Sequence, residues 1–335
     1  MWVLLIGALV QDQKALDYLK SAPRSWACVA EDAFAGLAYL SEGSTPKSGR
    51  YSQELQACVK SMMRDLRGDF TENWYLALEL LFLSEVYKKD PTSEIKDRIA
   101  QVIQRAEQTQ EATGGWSHSK GYNYKDRGGN VPDVAMVGTF MLAGLCNVRA
   151  AGLDAPGKLI DSVFAYCEKS SDGSGGLIYG TNNRVPDFAG TRAAGLLIAL
   201  HVLNRKDERY ERIAKLVKEK MAHIEKGHAN APVHYFASGV ACYLSGSWDD
   251  WKKTWMDKLL GQREPDGSVW LKIHEAGDHE RNVLRNNILS TATLAILCNL
   301  DQGRLFQPKP SKEEKSSPRL QPAKPKSPFS TRPRR

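Results

Sequence analysis

The chain has 335 residues, of which 42% are hydrophobic and 25% charged, the composition of a soluble globular protein with enough chain for a sizeable core. Its formal net charge of +7 sits entirely in residues 307–335, where nine Lys or Arg face two Glu, so residues 1–306 are neutral and the charge gives no reason to assign the folded part to nucleic acid. The six cysteines form no CxxC and all lie in apolar stretches, which excludes a zinc cage or a disulfide framework and reads as small buried hydrophobes.

The first elements are apolar. "MWVLLIGALV" is too short to span a bilayer and looks like the apolar part of a signal peptide without its basic start. Residues 1–20 are therefore expected to be a leader, and the protein to be exported; a first helix or strand of a cytosolic protein is the competing expectation. "AEDAFAGLAYL" from Ala30 and "NWYLALELLFL" from Asn73 are apolar nearly all round, which predicts buried helices. "SEIKDRIAQVIQRAEQTQ" differs: Ile95, Ile99, Val102, Ile103 and Ala106 share one face, which predicts a one-sided outer helix. It runs into "QEATGGW", where Gly114 can take the left-handed conformation that ends a helix, Gln110 can meet orphan carbonyls, and Trp116 can cover the junction with the next helix pair.

"GYNYKDRGGN" follows, a loop whose Tyr122 and Tyr124, with Trp116, are candidates to line a rim and stack on a sugar or lipid. Three further apolar helices then begin alike: "VPDVAMVGTFMLAGL" at Val131, "VPDFAGTRAAGLLIAL" at Val185 and "APVHYFASGVACYL" at Ala231. Asp133 and Asp187 sit where an N-cap belongs, and His234, beside Tyr235, holds the corresponding place in the third. Asp133, Asp187 and His234 are the candidate acid–base residues, at helix starts that a parallel arrangement would gather on one face. Arg192, a charge inside an apolar helix, is expected to pair with a carboxylate or face a ligand, with Tyr235 beside that ligand. Between these helices lie one-sided ones, with Ile213, Leu216, Val217 and Met221 along one and Trp248, Trp251, Trp255 and Leu259 along the other. "HEAGDHE" from His274 is not the zincin H-E-x-x-H, because Asp278 occupies the fourth place, and it reads as a solvated loop. "ILSTATLAILCNL" from Ile288 is the last apolar helix, and the Pro-, Lys- and Arg-rich residues 307–335 are expected to be a disordered tail able to touch an anionic surface.

Inner helix, loop, outer helix and turn thus recur about every 50 residues, and a ring with the all-apolar helices inside closes such pairs. At this point the sequence resembles a known family. "QEATGGW" fits the Q-x-x-x-G-x-W repeat of squalene–hopene cyclases, and "SSDGSGGLIYG", "TRAAGLLIALHVL", "WDDWKKTWMDKLLGQREPDGSVW" and "STATLAILCNL" resemble prenyltransferase and squalene oxidase repeats. The likeness covers roughly residues 28–306 and implies an all-α fold, an α/α toroid of six inner and six outer helices around a central cavity, with the toroid domain at residues 21–306. In "QREPDGSVW" Gly267 and Trp270 lie further from Gln262 than the motif asks, so that turn is expected to carry insertions.

The resemblance does not bring an active site with it. The D-x-D-D acid of the cyclases, the Asp-x-Cys zinc pair of prenyltransferase β-subunits and the Cys-Gly-Glu-Gln thioester of complement-like toroids are all absent from the sequence. No cofactor or metal is expected. The function implied is binding of a hydrophobic or isoprenoid-type ligand in the central cavity. The alternative is a carbohydrate hydrolase or lyase using Asp133 and Asp187 on the same ring; metal-dependent prenyl transfer would need a zinc site the sequence does not supply.

Overall fold

The computed structural model describes residues 13–22, 29–64, 72–120, 132–226, 231–271 and 287–308. Among them are twelve α-helices and no strand: α1 (13–21), α2 (Val29–Glu42), α3 (Ser52–Met62), α4 (Glu72–Lys89), α5 (Ser93–Thr109), α6 (Ala135–Ala150), α7 (Gly157–Lys169), α8 (Thr191–Val202), α9 (Glu208–Lys220), α10 (Ala231–Leu244), α11 (Trp248–Leu260) and α12 (Ile288–Asn299). The even-numbered helices are the apolar ones, and each packs on the next until α12 returns to α2. This is the α/α toroid: six inner helices in a closed ring, each backed by an outer helix.

The inner helices run parallel, because like ends meet. Near their starts, Thr139 of α6 donates to the Arg192 carbonyl of α8 at 2.8 Å, and Thr293 of α12 donates to the Pro232 carbonyl of α10 at 3.3 Å. Near their ends, Asn147 of α6 donates to Ser84 and Glu85 of α4. Close approach is built into the sequence: a methyl added at Gly195 of α8 would lie 2.8 Å from Thr139 of α6. Outer helices run against their inner partners, as the ion pairs Glu72–Arg105 and Glu79–Arg98 record, one pair for every two turns along α4 and α5. The expected one-sided faces hold, since Ile95, Ile99, Val102, Ile103 and Ala106 of α5 and Trp248, Trp251, Trp255 and Leu259 of α11 are all buried.

The Gly–Trp turn is a reused device. After α5, α7 and α11 the chain makes one turn three times, with backbone bonds from Glu111 to Gly115, Asp172 to Gly176 and Glu264 to Ser268 at 2.8–3.0 Å. Each holds a glycine with positive φ, at 89° for Gly114, 101° for Gly175 and 95° for Gly267. Each glycine presses on the backbone of the next outer helix: Gly114 on Ser162 of α7, Gly175 on Arg212 of α9, Gly267 on Lys14 of α1. The residue that follows the turn is buried in every case, as Trp116, Leu177 and Val269. The counterpart of Trp116 is therefore Val269; Trp270 points outward and is 37% exposed. Trp116 donates its indole N–H to the Ala106 carbonyl, one of the orphan carbonyls at the end of α5, while Gln110 bonds Gly114 and Ser162.

This series shows where the first helix belongs. Ala15, Leu16 and Leu19 of α1 are buried, Tyr18 bonds Asn287 at the head of α12, and Lys20 pairs with Glu54 of α3. Helix α1 is the outer partner of α12, so the ring begins before the expected boundary at residue 21, and residues 13–21 are part of it. The other end of the ring is crossed by residues 303–308. Arg304 bonds the Ser41 and Glu42 carbonyls at the end of α2, Phe306 is fully buried, and Glu85 accepts from the Phe306 N–H, Asn147 and Lys88. No described helix is long and apolar enough to cross a membrane.

Candidate functional site

The middle of the ring is filled. Alternate inner helices α2, α6 and α10 send Phe34, Phe140 and Phe236 inward, with ring centroids 4.9 Å apart for Phe34–Phe236 and 6.3 Å for Phe140–Phe236. Phe306 meets Phe236 edge-on from the far end, and Trp74 of α4 lies against Phe140. All three central phenylalanines have no exposure. Below the mouth, this level of the ring is a packed aromatic core, a feature that the all-apolar helices do not reveal in sequence.

The polar groups gather instead at the starts of the inner helices. Thr191, the first residue of α8, faces His234 in the first turn of α10, with Oγ1 and Nδ1 2.6 Å apart, and both are buried. Trp74 of α4 donates its indole N–H to Nδ1 of half-buried His118 at 3.0 Å. The segment carrying His118 is gripped by the neighbouring Asn73, whose backbone N–H bonds the His118 carbonyl and whose Nδ2 bonds that of Ser117; Asn73 Oδ1 is buried without a hydrogen-bond partner among the described residues. Glu31 of α2 is buried in the first turn of that helix. Around this mouth stand apolar side chains open to solvent, Phe188 at 53% and Val185 at 44% before α8 and Trp270 before α12.

The sequence candidates divide. Asp133 lies one residue ahead of the N-cap position of α6, held by Val134, and its carboxylate serves other elements: it accepts from Tyr166 of α7 at 2.8 Å and from the Thr181 N–H and hydroxyl. It is fully buried, and with burial it pushes the Tyr166 phenol up. Asp187 lies three residues ahead of the N-cap position of α8, which Gly190 holds, and its carboxylate reaches the helix start to accept from the Ala193 N–H at 3.0 Å. Burial pushes its carboxyl up, opposed by Arg192 and the helix-start N–H groups. Arg192 spends its guanidinium on three carbonyls of the preceding loop, Leu177, Val185 and Pro186 at 2.6–2.7 Å, and lies over the Tyr179 ring, so it braces that loop rather than meeting a carboxylate directly. Trp116 and Tyr235 are buried between inner and outer layers, Tyr235 edge-on to Trp255 of α11, so both are packing groups and neither lines the rim. Tyr122, Tyr124 and the 274–280 loop lie outside the described residues. Among the described residues no three His, Cys, Asp or Glu side chains come together in a metal-holding group.

His118 was missed by the sequence reading, for "WSHSKG" carries no spacing that marks it. Its one local signal is its place two residues past the buried Trp116, where the chain leaves the turn for the mouth.

A family model described as a domain of unknown function, DUF6288, matches residues 7–299. The chain belongs to that family. No curated protein matches it. Among solved structures, a polysaccharide lyase superposes with a TM-score of 0.57 at 12% identity, over 89% of this chain and 97% of its own. The Lin0763 protein from Listeria innocua superposes at 0.58 and 12% identity, over 84% and 87% of the two chains. A type II terpene cyclase from Scytonema matches at 0.36 and 13% identity, over 82% and 99%, too distant to carry an argument. At these identities the likeness of the first two is one of fold. The family model that matches is DUF6288 and not one of the prenyltransferase and squalene oxidase repeats that the motifs resemble.

Proposed function

We propose that this DUF6288 protein is a carbohydrate-active enzyme, a hydrolase or lyase, that takes a saccharide at the mouth formed by the starts of the inner helices. The observation that carries this reading is the contact of Phe34, Phe140 and Phe236 across the ring. An enclosed site for a drug-sized apolar ligand takes roughly 300–1,000 Å³, and these side chains occupy the place where it would lie. A sugar polymer needs no such enclosure. It binds on an open surface, through hydrogen bonds to its hydroxyls and contact of its C–H faces with aromatic rings. The mouth offers aromatic faces in the exposed Phe188 and Trp270 and a half-buried imidazole in His118, with the buried Thr191–His234 pair at the same helix starts. The neighbour named a polysaccharide lyase, matched over nearly its whole length, is consistent with it. In this reading His234 handles the proton and Asp187, its carboxyl raised by burial, is the acid of the same rim. Asp133 positions Tyr166 and the Thr181 loop.

The test is incubation of the full chain with cellulose, xylan, alginate and hyaluronan, reading new reducing ends and the ultraviolet absorbance of unsaturated sugars. Cleavage of one of them, reduced at least a hundredfold in His234→Ala, is the expected result. The second reading is an isoprenoid-type ligand in the ring, as the prenyltransferase and squalene oxidase repeat resemblance implies. Native mass spectrometry separates the two: an isoprenoid released from the isolated protein, with no saccharide cleaved, overturns the first.

A further inference from the structure

We infer that the cleft between the 172–176 turn and the outer helix α9 is an anion subsite continuing the mouth, and that the saccharide taken there carries carboxylates, as a polyuronate does. The cleft holds about 450 Å³ and is lined by Ser174 of the turn and by Arg212, Lys215, Leu216, Glu219 and Lys220 of α9. Buried Leu216 is its apolar floor. Three cations thus stand with one carboxylate, in a chain whose residues 1–306 are neutral as a whole. The turn is held against α9 by Gly175, which has a φ of 101°; a methyl on it would lie 3.0 Å from the Arg212 carbonyl oxygen.

The cleft adjoins the head of α8. A methyl added at Gly176 would lie 3.1 Å from Leu216 Cδ2 and 3.0 Å from Asp187 Cβ, and one added at Gly190, the N-cap of α8, would lie 3.3 Å from Lys220 Cβ. Asp187 is therefore next to the cleft, and the exposed Phe188 follows it in the chain. The cations of the cleft are also weakly engaged. Elsewhere on α9, Arg209 pairs with Glu168 of α7, and Lys218 with Asp250 of α11 at 3.0 Å. Arg212 and Lys215 reach only exposed carboxylates of their own helix, Glu208 and Glu219, each at 3.9 Å, and Lys220 has no ion pair among the described residues. Exposed pairs of that kind hold little, so a ligand anion displaces no strong bond. A cleft dominated by one sign of charge concentrates ions of the other, and the planar fork of Arg212 fits a carboxylate with two bonds.

This substrate class rests on the saccharide reading, and the experiment keeps the two apart. The full chain is titrated calorimetrically with hexasaccharides of alginate and hyaluronan, which carry carboxylates, and with cellohexaose, which carries none. One of the two acidic chains should bind, and cellohexaose at least about tenfold more weakly. Arg212→Gln, Lys215→Gln and Lys220→Gln together should weaken the acidic chain at least about tenfold, the loss of charge-assisted bonds, whereas Glu219→Gln should tighten it. Lys96→Gln, Lys158→Gln and Lys253→Gln together remove as much charge from exposed positions on α5, α7 and α11 and should change binding less than about twofold. Equal Tm values establish that each variant is folded. Acidic-chain binding that the cleft variant leaves unchanged, or that both triple variants weaken alike, overturns the subsite and assigns the anion to the basic tail or the total charge. Cellohexaose bound as tightly as the acidic chains, or cleavage of cellulose or xylan with neither acidic chain bound, overturns the subsite and leaves the saccharide reading standing. An acidic chain held by the cleft with none of the four polysaccharides cleaved keeps the subsite and overturns the enzyme. No hexasaccharide bound and no polysaccharide cleaved overturns both.

Discussion

Arg98→Met removes the partner of a carboxylate that has no exposure. Glu79 sits on the outward side of α4, and the Arg98 guanidinium of α5 bonds its Oε1 at 2.6 Å; Oε2 has no hydrogen-bond partner among the described residues. Burial already raises Glu79 from 4.5 to about 7 despite Arg98. That gap is worth about 3 kcal/mol. Because the folded value is the higher, the carboxyl supports the fold fully below pH 4.5, and this support is lost as pH rises through about 7. Without Arg98 the carboxyl moves higher still, so the variant's deficit should grow between pH 6 and pH 9. Breaking a buried pair from one side costs about 3–5 kcal/mol, and that is the loss expected at the upper pH. Arg98→Met combined with Glu79→Leu should recover most of it. The assay is urea unfolding of the parent, single and double variants at both pH values, comparing midpoints at constant slope. A single-variant loss below about 1 kcal/mol, or one equal at both pH values, would refute the claim that Glu79 is desolvated and depends on Arg98.

Gly114→Ala should cost about 1–3 kcal/mol, read as a lowered Tm, because φ is 89° and the added methyl would lie 2.9 Å from the Ser162 carbonyl; Gly152→Ala, also at positive φ but with nothing near its added methyl, is the control for backbone strain alone. Phe306→Ala should cost about 3–5 kcal/mol and increase binding of a fluorescent apolar dye, since it empties the end of the aromatic core. Trp116→Phe should lose about 1 kcal/mol in chemical denaturation, because the Ala106 carbonyl loses the indole N–H and keeps only the Thr109 hydroxyl. A chain ending at residue 308 should keep the parent's Tm and lose retention on an anionic resin, because the charge excess lies beyond the ring.

The ring was legible because its two kinds of helix obey different rules in sequence. A helix apolar all round, such as α6 or α12, can only be inside, and a one-sided helix such as α5 can only lie over it. The Gly–Trp turn was legible in outline and misjudged in register at residues 262–270, because a tryptophan drew attention from Val269, which fills the pocket. Helix α1 was not legible as part of the ring: ten apolar residues ahead of it have the look of a leader, and the buried Leu16 and Leu19 acquire their meaning only beside α12 and α3. Nor could sequence show that Phe34, Phe140 and Phe236 converge, since they come from three separate helices. The site residues suffered most. Asp133 and Asp187 look alike in "VPDV" and "VPDF", yet one binds a neighbouring helix and loop and the other reaches past Gly190, the N-cap, to the first turn of its own helix. That difference lies in the later positions of Tyr166 and Thr181.

The ring is joined by its two chain ends, and this bears on how it is made. Tyr18 meets Asn287, Ser41 meets Arg304 and Glu85 meets the Phe306 N–H, contacts between residues more than two hundred positions apart. During synthesis, α2 has a neighbour on one side only, and α1 has no inner helix to cover, until α12 emerges from the ribosome. The nascent chain is an open arc with an apolar edge at its leading helix, and long-range closure of this kind is slow and exposed to aggregation. A cell making this protein must shield that edge until translation has passed residue 306. Fragments cut short of the last inner helix should be found bound to chaperones rather than free.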